Sequence, residues 1–388
     1  MPPQLFRKTP LAWFQVTREK TRLLVAIAGI AFADILMFVQ LGFKDALFDS
    51  AAVPYQTLQS DLFIVNPQFE TLFSTKTFSR ERLLQAAAVD DVESISWLYI
   101  AIAQWRNPTT RTSRSILVFG TDPASRAFKL PEVNQHLSDL QQLNQVLFDQ
   151  AGRPEFGDIA TLLKTTSPLT TEVNDNLVRV TGVFTLGASF SADGNVITSD
   201  STFLRIFPER QPEKIDVGLI KLKPTADIKQ VQASLKASLP NDVLVMTLPE
   251  FATREKDYWA NATPIGFIFT LGTVVGFIVG VVIVYQILYS DVSDHLPEYA
   301  TLKAMGYGDF YFVGVLIQEA LLLAILGFLP GAVLATGLYV LAQGATMLPI
   351  AMTIERATNV FILTVVMCVG SGVIAMRKLQ SADPADIF

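Results

Sequence analysis

The chain has 388 residues, half of them hydrophobic, a formal net charge of −6 and a mean hydropathy of +0.37. That is too apolar for an ordinary water-soluble protein and too charged for one built only of membrane spans, so the composition predicts a few spans joined to a sizeable soluble domain. The absence of a strongly basic block excludes the electrostatic footprint of a nucleic-acid-binding protein. The single cysteine, Cys368, excludes an intramolecular disulfide.

In chain order, residues 1–22 set Arg7, Lys8, Arg18, Lys20 and Arg22 against one acid, Glu19, with Leu11, Trp13, Phe14 and Val16 between them. This pattern predicts a basic cytosolic segment with an elbow helix at the membrane surface. Residues 23–43 form the first span. A cleaved signal peptide is the competing reading, because Ala31-Phe32-Ala33 resembles a cleavage site, but the apolar run continues to Val39 and favours an uncleaved anchor. Asp34 interrupts this span. It is costly in lipid and must face another helix, a subunit interface or water, either to couple motion or as a satisfied polar contact.

Residues 44–263 contain no spanning segment and read as an α+β domain outside the cytosol. Strands are predicted at Asp61 to Asn66, Val92 to Trp105, Ser113 to Gly120, Leu177 to Leu186, Asp216 to Leu222 and Val243 to Leu248. Helices are predicted from Ser79 to Ala88 and from Ala226 to Leu239. The order strand, helix, strand, strand occurs twice, less cleanly the second time, and admits a ferredoxin-like half. The Gln- and Asn-rich stretch Pro131 to Ser167 reads as a helical and irregular insertion in a second subdomain, and Ser191 to Asn195, with its Asp-Gly pair, as a hairpin turn.

Residues 264–289 form the second span, with Gly272, Gly276 and Gly280 on one helical face, a pattern that lets another helix approach closely. Residues 310–341 form the third, with Glu319 near its start and a kink or break expected near Pro330. A short outside connection, 342–358, leads to the fourth span, 359–376, and a tail, 377–388. Basic residues flank the first span on its N-terminal side and the fourth at Arg377 and Lys378. With four spans, both termini and the polar loop 290–309 are then cytosolic and the large domain is outside.

Chemistry-bearing clusters are few. The two histidines, His136 and His295, fall on opposite sides of the membrane in this topology, so no His/Cys set of zinc-ligand spacing exists. There is no phosphate-binding G-x-x-x-x-G-K-[ST] loop and no G-x-S-x-G elbow. His136 reads as a solvated histidine, with a Ser-His-Asp triad as the alternative. Asn261-Ala262-Thr263 matches a glycosylation sequon, but its place beside the membrane and before Pro264 speaks against use. The expectation is a non-enzymatic protein that binds no cofactor directly.

Within the loop, Pro297 suits a helix start, and Tyr299, Leu302 and Met305 recur at three-residue intervals as an apolar stripe. A short amphipathic helix between two spans can sit in a groove of a partner. An interfacial helix lying on lipid is the alternative.

The layout of one span, a large outside domain and three further spans resembles that of permeases of the MacB/FtsX class, the membrane subunits of type VII ABC systems. Glu298-Tyr299-Ala300-Thr301-Leu302-Lys303-Ala304-Met305-Gly306 resembles the coupling helix of that class, and Ser381 to Asp386 its aspartate-proline ending. Gly29 to Phe38 and Phe43 to Phe48 resemble the first span of cyanobacterial DevC proteins. Pro297 departs from the class, whose exporters often have a basic residue there.

The resemblance implies a bacterial inner-membrane homodimer coupled to a separate ABC ATPase through Glu298, Tyr299, Leu302, Lys303, Met305 and Gly306, with ATP held by that partner. It further implies a periplasmic membrane-fusion adaptor, a TolC-like outer-membrane channel and a glycolipid or other lipid-like cargo. A lipoprotein-releasing permease, an FtsX-like regulator of a cell-wall hydrolase and a membrane sensor without an ATPase are the alternatives.

Overall fold

The computed structural model describes residues 19–72, 74–166, 168–190 and 192–381; most of the predicted elbow segment, and the aspartate-proline ending from residue 382, lie outside them. The chain divides into two compact units, one from Met1–Asp45, Ile265–Ala345 and Ile350–Phe388, the other from Ala46–Pro264 and Thr346–Pro349.

Among the described residues, four helices are long and apolar enough to cross a membrane: Lys20–Gln56, Pro264–Asp294, Phe310–Thr346 and Ile354–Met376. The expected break in the third does not occur, since one helix runs unbroken from Asp309 to Thr346 with Pro330 inside it. The neighbouring glycines explain part of this. An added Cβ at Gly327 would lie 2.5 Å from Ile30, and at Gly331 3.0 Å from the Cβ of Asp34, so the first helix packs directly against this stretch. Close packing of this kind steadies a proline that frees backbone groups.

The other unit is built on one mixed nine-stranded sheet. Its strands and those of a small companion ribbon are β1 (Leu62–Val65), β2 (Phe78–Ser79), β3 (Val92–Arg106), β4 (Ser113–Thr121), β5 (Gln145–Asp149), β6 (Leu169–Val173), β7 (Asn176–Phe184), β8 (Asn195–Ser199), β9 (Lys214–Ile215), β10 (Val217–Leu222) and β11 (Leu244–Thr247). The sheet order is β11-β1-β10-β3-β4-β8-β5-β7-β6, and Trp105 of β3 also pairs with Val173 of β6. The strands from β3 to β6 therefore close on themselves, with β11, β1 and β10 as an open flap.

Side chains alternate between two cores. Leu62, Ile64, Tyr99 and Val118 enter one, while Phe63, Val65, Ile100 and Leu117 enter the other. Both faces are covered, which is why these strands read as continuous apolar runs.

Three sequence-based expectations are corrected. The stretch read as a helical and irregular insertion carries β5, all five residues of which are buried, between β8 and β7 of the sheet. Five residues buried on both faces show no alternation, and their polar flanks hid them. Nor is there a separate second subdomain, because β5 to β8 belong to the same sheet as β1 and β3. Finally, the Asp193-Gly194 pair does not close a hairpin: β7 and β8 are not partners, and β8 lies between β4 and β5. The two-residue turn with positive φ is Asn174-Asp175, which joins β6 to β7. Asp193 instead receives Arg114 and Arg153, each at 2.6 Å.

Candidate functional site

The loop between the second and third long helices folds into a nine-residue helix, Leu296–Ala304, with Pro297 in its first turn. Tyr299 is only 2% exposed, and its ring meets Phe312 edge-on at 5.6 Å. Leu302 packs against the same core. Met305 ends up 64% exposed.

The three-residue stripe is therefore corrected. At 3.6 residues per turn, positions 299 and 305 point about 120° apart, so they cannot share a face. Met305 also sits just past the last helical residue, before Gly306 turns the chain with a φ of 95° that favours glycine. The outward surface consists of Glu298, Thr301, Ala304, Met305, Tyr307 and Phe310, the last 93% exposed; Lys303 is half-buried.

A polar cluster fastens this helix to the rest of its unit. Arg22 of the first helix reaches Asp294 at 2.5 Å, Glu19 at 3.2 Å and Asp291 at 3.6 Å. The Nδ1 of His295 lies 3.0 Å from the carbonyl oxygen of Asp291 and 3.5 Å from its Oδ1. Glu319 of the third helix is buried and lines the same small cavity as Arg22 and Asp291. The Asp291 side chain thus lies where three helices meet. Of this cluster the sequence singled out Glu319 alone. The i, i+4 pair Asp291 and His295 at the end of an apolar run was the available signal for the rest.

The glycine row packs against the first helix and, at Gly280, also against the fourth. An added Cβ would meet Gln40 at 2.5 Å from Gly272 and Leu36 at 3.2 Å from Gly276, and at Gly280 it would meet Met367 of the fourth helix and, at 2.8 Å, Ala33. Asp34 lies in the same contact zone, fully buried. Its Oδ1 is 2.6 Å from the hydroxyl of Thr364 on the fourth helix, and its Oδ2 has no hydrogen-bond partner among the described residues. Further along, Arg356 clasps Asp45 with two nitrogens at 2.7 and 3.1 Å, above the ring of Tyr339.

In the sheet unit, a helix at Leu248–Asp257 begins with a capping box between Thr247 and Glu250 and ends in a π-helical turn, Tyr258–Ala262. Glu255 is fully buried there. Its Oε2 accepts the hydroxyl of Tyr55 and, at 3.3 Å, the amide of Leu72, while its Oε1 accepts Nε1 of Trp259 at 2.9 Å. Burial raises the Glu255 carboxyl to about 7, against the pull of its three donors.

His136 pairs with Asp139, three residues on, at 2.8 Å and stacks over Gly182. No group of three or more His, Cys, Asp or Glu is placed to hold a metal among the described residues.

Two family models match the chain, a MacB-like periplasmic core domain over residues 23–238 and an FtsX-like permease C-terminal domain over residues 264–384. A comparison with curated proteins found no match. Among solved structures, the periplasmic region of MacB from Actinobacillus actinomycetemcomitans is similar at 13% identity and a TM-score of 0.36, over 53% of this chain and 95% of that one. The extracellular domain of the noncanonic ABC-type transporter YknZ from Gram-positive bacteria is similar at 15% identity and a TM-score of 0.32, over 48% of this chain and 99% of that one. With more than half of its length matched by the MacB-like model and its long C-terminal helices by the FtsX-like one, the chain belongs to the MacB/FtsX type of ABC transporter permeases.

Proposed function

We propose that the chain is the permease subunit of a bacterial inner-membrane ABC exporter, working as a homodimer with a separate ATPase dimer. In this reading the four long helices, with spans at 23–43, 264–289, 310–341 and 359–376, cross the membrane with both termini and residues 290–309 in the cytosol. The domain at 44–263 stands in the periplasm. ATP binding by the partner moves the short helix at Leu296–Ala304. The motion passes through Arg22, Asp291 and Glu319 to the long helices, and along the first two into the periplasmic domain. No cargo need pass between the spans.

The observation that supports this most directly is the two-sided character of the short helix. One face is pinned by Tyr299 on Phe312, while Glu298, Met305, Tyr307 and Phe310 stand outward as an exposed ridge, the Tyr307 ring resting on Tyr311. Such a rigidly backed ridge suits a groove in a partner protein. Asp34, buried with one unpartnered oxygen, serves as a packing contact that the movement must carry along. Export of a glycolipid or similar envelope component through a membrane-fusion adaptor and a TolC-like channel rests on the likeness of the first span to DevC proteins.

The test is copurification from membranes in gentle detergent, comparing the intact chain with a Glu298→Arg, Met305→Asp variant. Both sites are exposed, so the fold should survive. An ATPase and an adaptor with the intact chain, and loss of the ATPase alone from the variant, is the expected result. A hydrolase or a lipoprotein in place of the adaptor would move the reading to the regulator or the releasing permease. Absence of an ATPase from both would overturn it.

A further inference from the structure

Within the sheet unit, the segment that follows the first apolar run, Ala46 to Gln56, and the segment that precedes the second, Leu248 to Ala262, are tied at three places. Lys256 reaches Asp49 at 2.5 Å. The ring of Trp259 meets Phe190 edge-on at 4.7 Å, and the amide of Phe190 donates to the hydroxyl of Ser50 at 3.0 Å. The third tie is Glu255, and it is the one that is wholly buried.

Glu255 differs from the other two in what it gathers. Tyr55 belongs to the first lead, Trp259 to the second, and Leu72 to the loop that follows β1. Beneath them Phe251 packs on Tyr55 at 4.3 Å, on Phe63 of β1 at 4.9 Å and on Phe69 at 5.0 Å. One carboxyl thus connects both leads to the edge of the sheet. The titratable side chain that faces it is Tyr55. Its neighbours are turned elsewhere, Arg254 to the carbonyls of Pro67 and Phe69 and Lys256 to Asp49. A buried acid is costly in a structural joint, where a glutamine or a leucine would pack at less expense. Its two oxygens, however, offer lone pairs to all three donors at once.

We propose that Glu255 is the positioning residue of this joint, holding the two leads and the Leu72 loop together so that a displacement of either lead enters the domain as one movement. This rests on the transmission reading given above. Either protonation state of the carboxyl can meet the three donors, since a protonated oxygen keeps a lone pair, but the nitrogen of a glutamine cannot, and with it one of Tyr55, Leu72 or Trp259 must give way. Because burial opposes ionisation, the hold is fullest while the carboxyl is protonated and weakens as pH rises through its titration. Burial, which moves that titration to about 7, brings the change into the range of ordinary buffers.

The experiment is hydrogen exchange read by mass spectrometry on the full chain with the ATPase that copurifies with it, with and without ATP and vanadate, at pH 6 and pH 8. Glu255→Gln, Glu255→Ala and Trp259→Phe are compared with the parent. In the parent at pH 6, ATP should alter the protection of residues 50–58, 68–74 and 248–262 together. At pH 8 the 68–74 response should fall away. Glu255→Gln should give the weak response at both pH values, and Glu255→Ala should speed exchange of the Leu72 amide about tenfold without ATP. Trp259→Phe, which leaves the carboxyl in place, should free 256–262 alone and keep the pH dependence of 68–74. A Glu255→Gln protein with the parent's joint response and pH dependence overturns the proposal and leaves the transmission reading intact. A parent with its ATPase bound and no ATP response in any segment overturns both.

Discussion

Replacing Glu255 by glutamine should change how the stability of the sheet unit depends on pH, and the size of the change follows from burial. The carboxyl titrates at about 7 in the fold against an ordinary value of 4.5. Between those values the folded chain holds a proton that the unfolded chain has released, so the contribution of this group is most favourable below about 4.5 and is lost as pH rises through about 7. At 1.36 kcal/mol per unit, the full difference is about 3 kcal/mol. The same charge that strengthens the three hydrogen bonds of the joint is thus what makes burial costly.

The assay is denaturant unfolding of the full chain in detergent, at pH 5 to 8.5, followed through the fluorescence of Trp97 and Trp105, both of which lie in β3. The other buried acids of this unit, Asp149 and Asp216, are common to parent and variant and cancel in the difference. The parent should lose about 3 kcal/mol relative to Glu255→Gln across this range. Parallel curves for the two proteins would refute the argument, because they would mean that Glu255 ionises in the fold as it does in water.

Other outcomes follow from the same coordinates. Gly280→Val should lower the thermal stability of the detergent-solubilised protein by about 2–3 kcal/mol, since the new Cβ would press on Met367 and sit 2.8 Å from Ala33, whereas Gly344→Ala, with open space around it, should be silent. Equal melting curves for the two would count against the close packing of the long helices at Gly280. Asp149→Ala should destabilise the sheet unit by about 3–5 kcal/mol, because the buried carboxylate accepts the amides of Ala151, Leu186 and Gly187 and the side chain of Asn195; a loss under about 1 kcal/mol in denaturant unfolding contradicts this role. Arg22→Ala should leave the ATPase bound in copurification and reduce the ATP-driven exchange response of the sheet unit severalfold. A full response would remove the Arg22 cluster from the path of motion.

Much of the architecture was legible in the residues alone. Four apolar runs of sufficient length separated by a long mixed segment prescribe long helices and one folded domain, because backbone polar groups in a hydrocarbon layer can be satisfied only within a helix or a closed sheet. The glycine row announced a close contact for the same kind of local reason: it lies on one helical face whatever the partner is. Proline at 297 marked the first turn of the short helix.

The tertiary structure decided which residues meet. Tyr299 and Met305 read alike in the sequence, and only packing against Phe312 turned one inward while the end of the helix left the other outside. β5 and β8 were missed because each is five residues long with polar residues at both ends, leaving only a short apolar run, and its partners lie far along the chain. Glu255 read as one acid among several in the charged stretch before the second apolar run. Two of its three donors, Tyr55 and Leu72, lie nearly two hundred residues away, and no local pattern could have brought them together. Periodicity, length and turn chemistry are local and were readable in the chain; the burial of a particular polar side chain depends on long-range neighbours and required the fold.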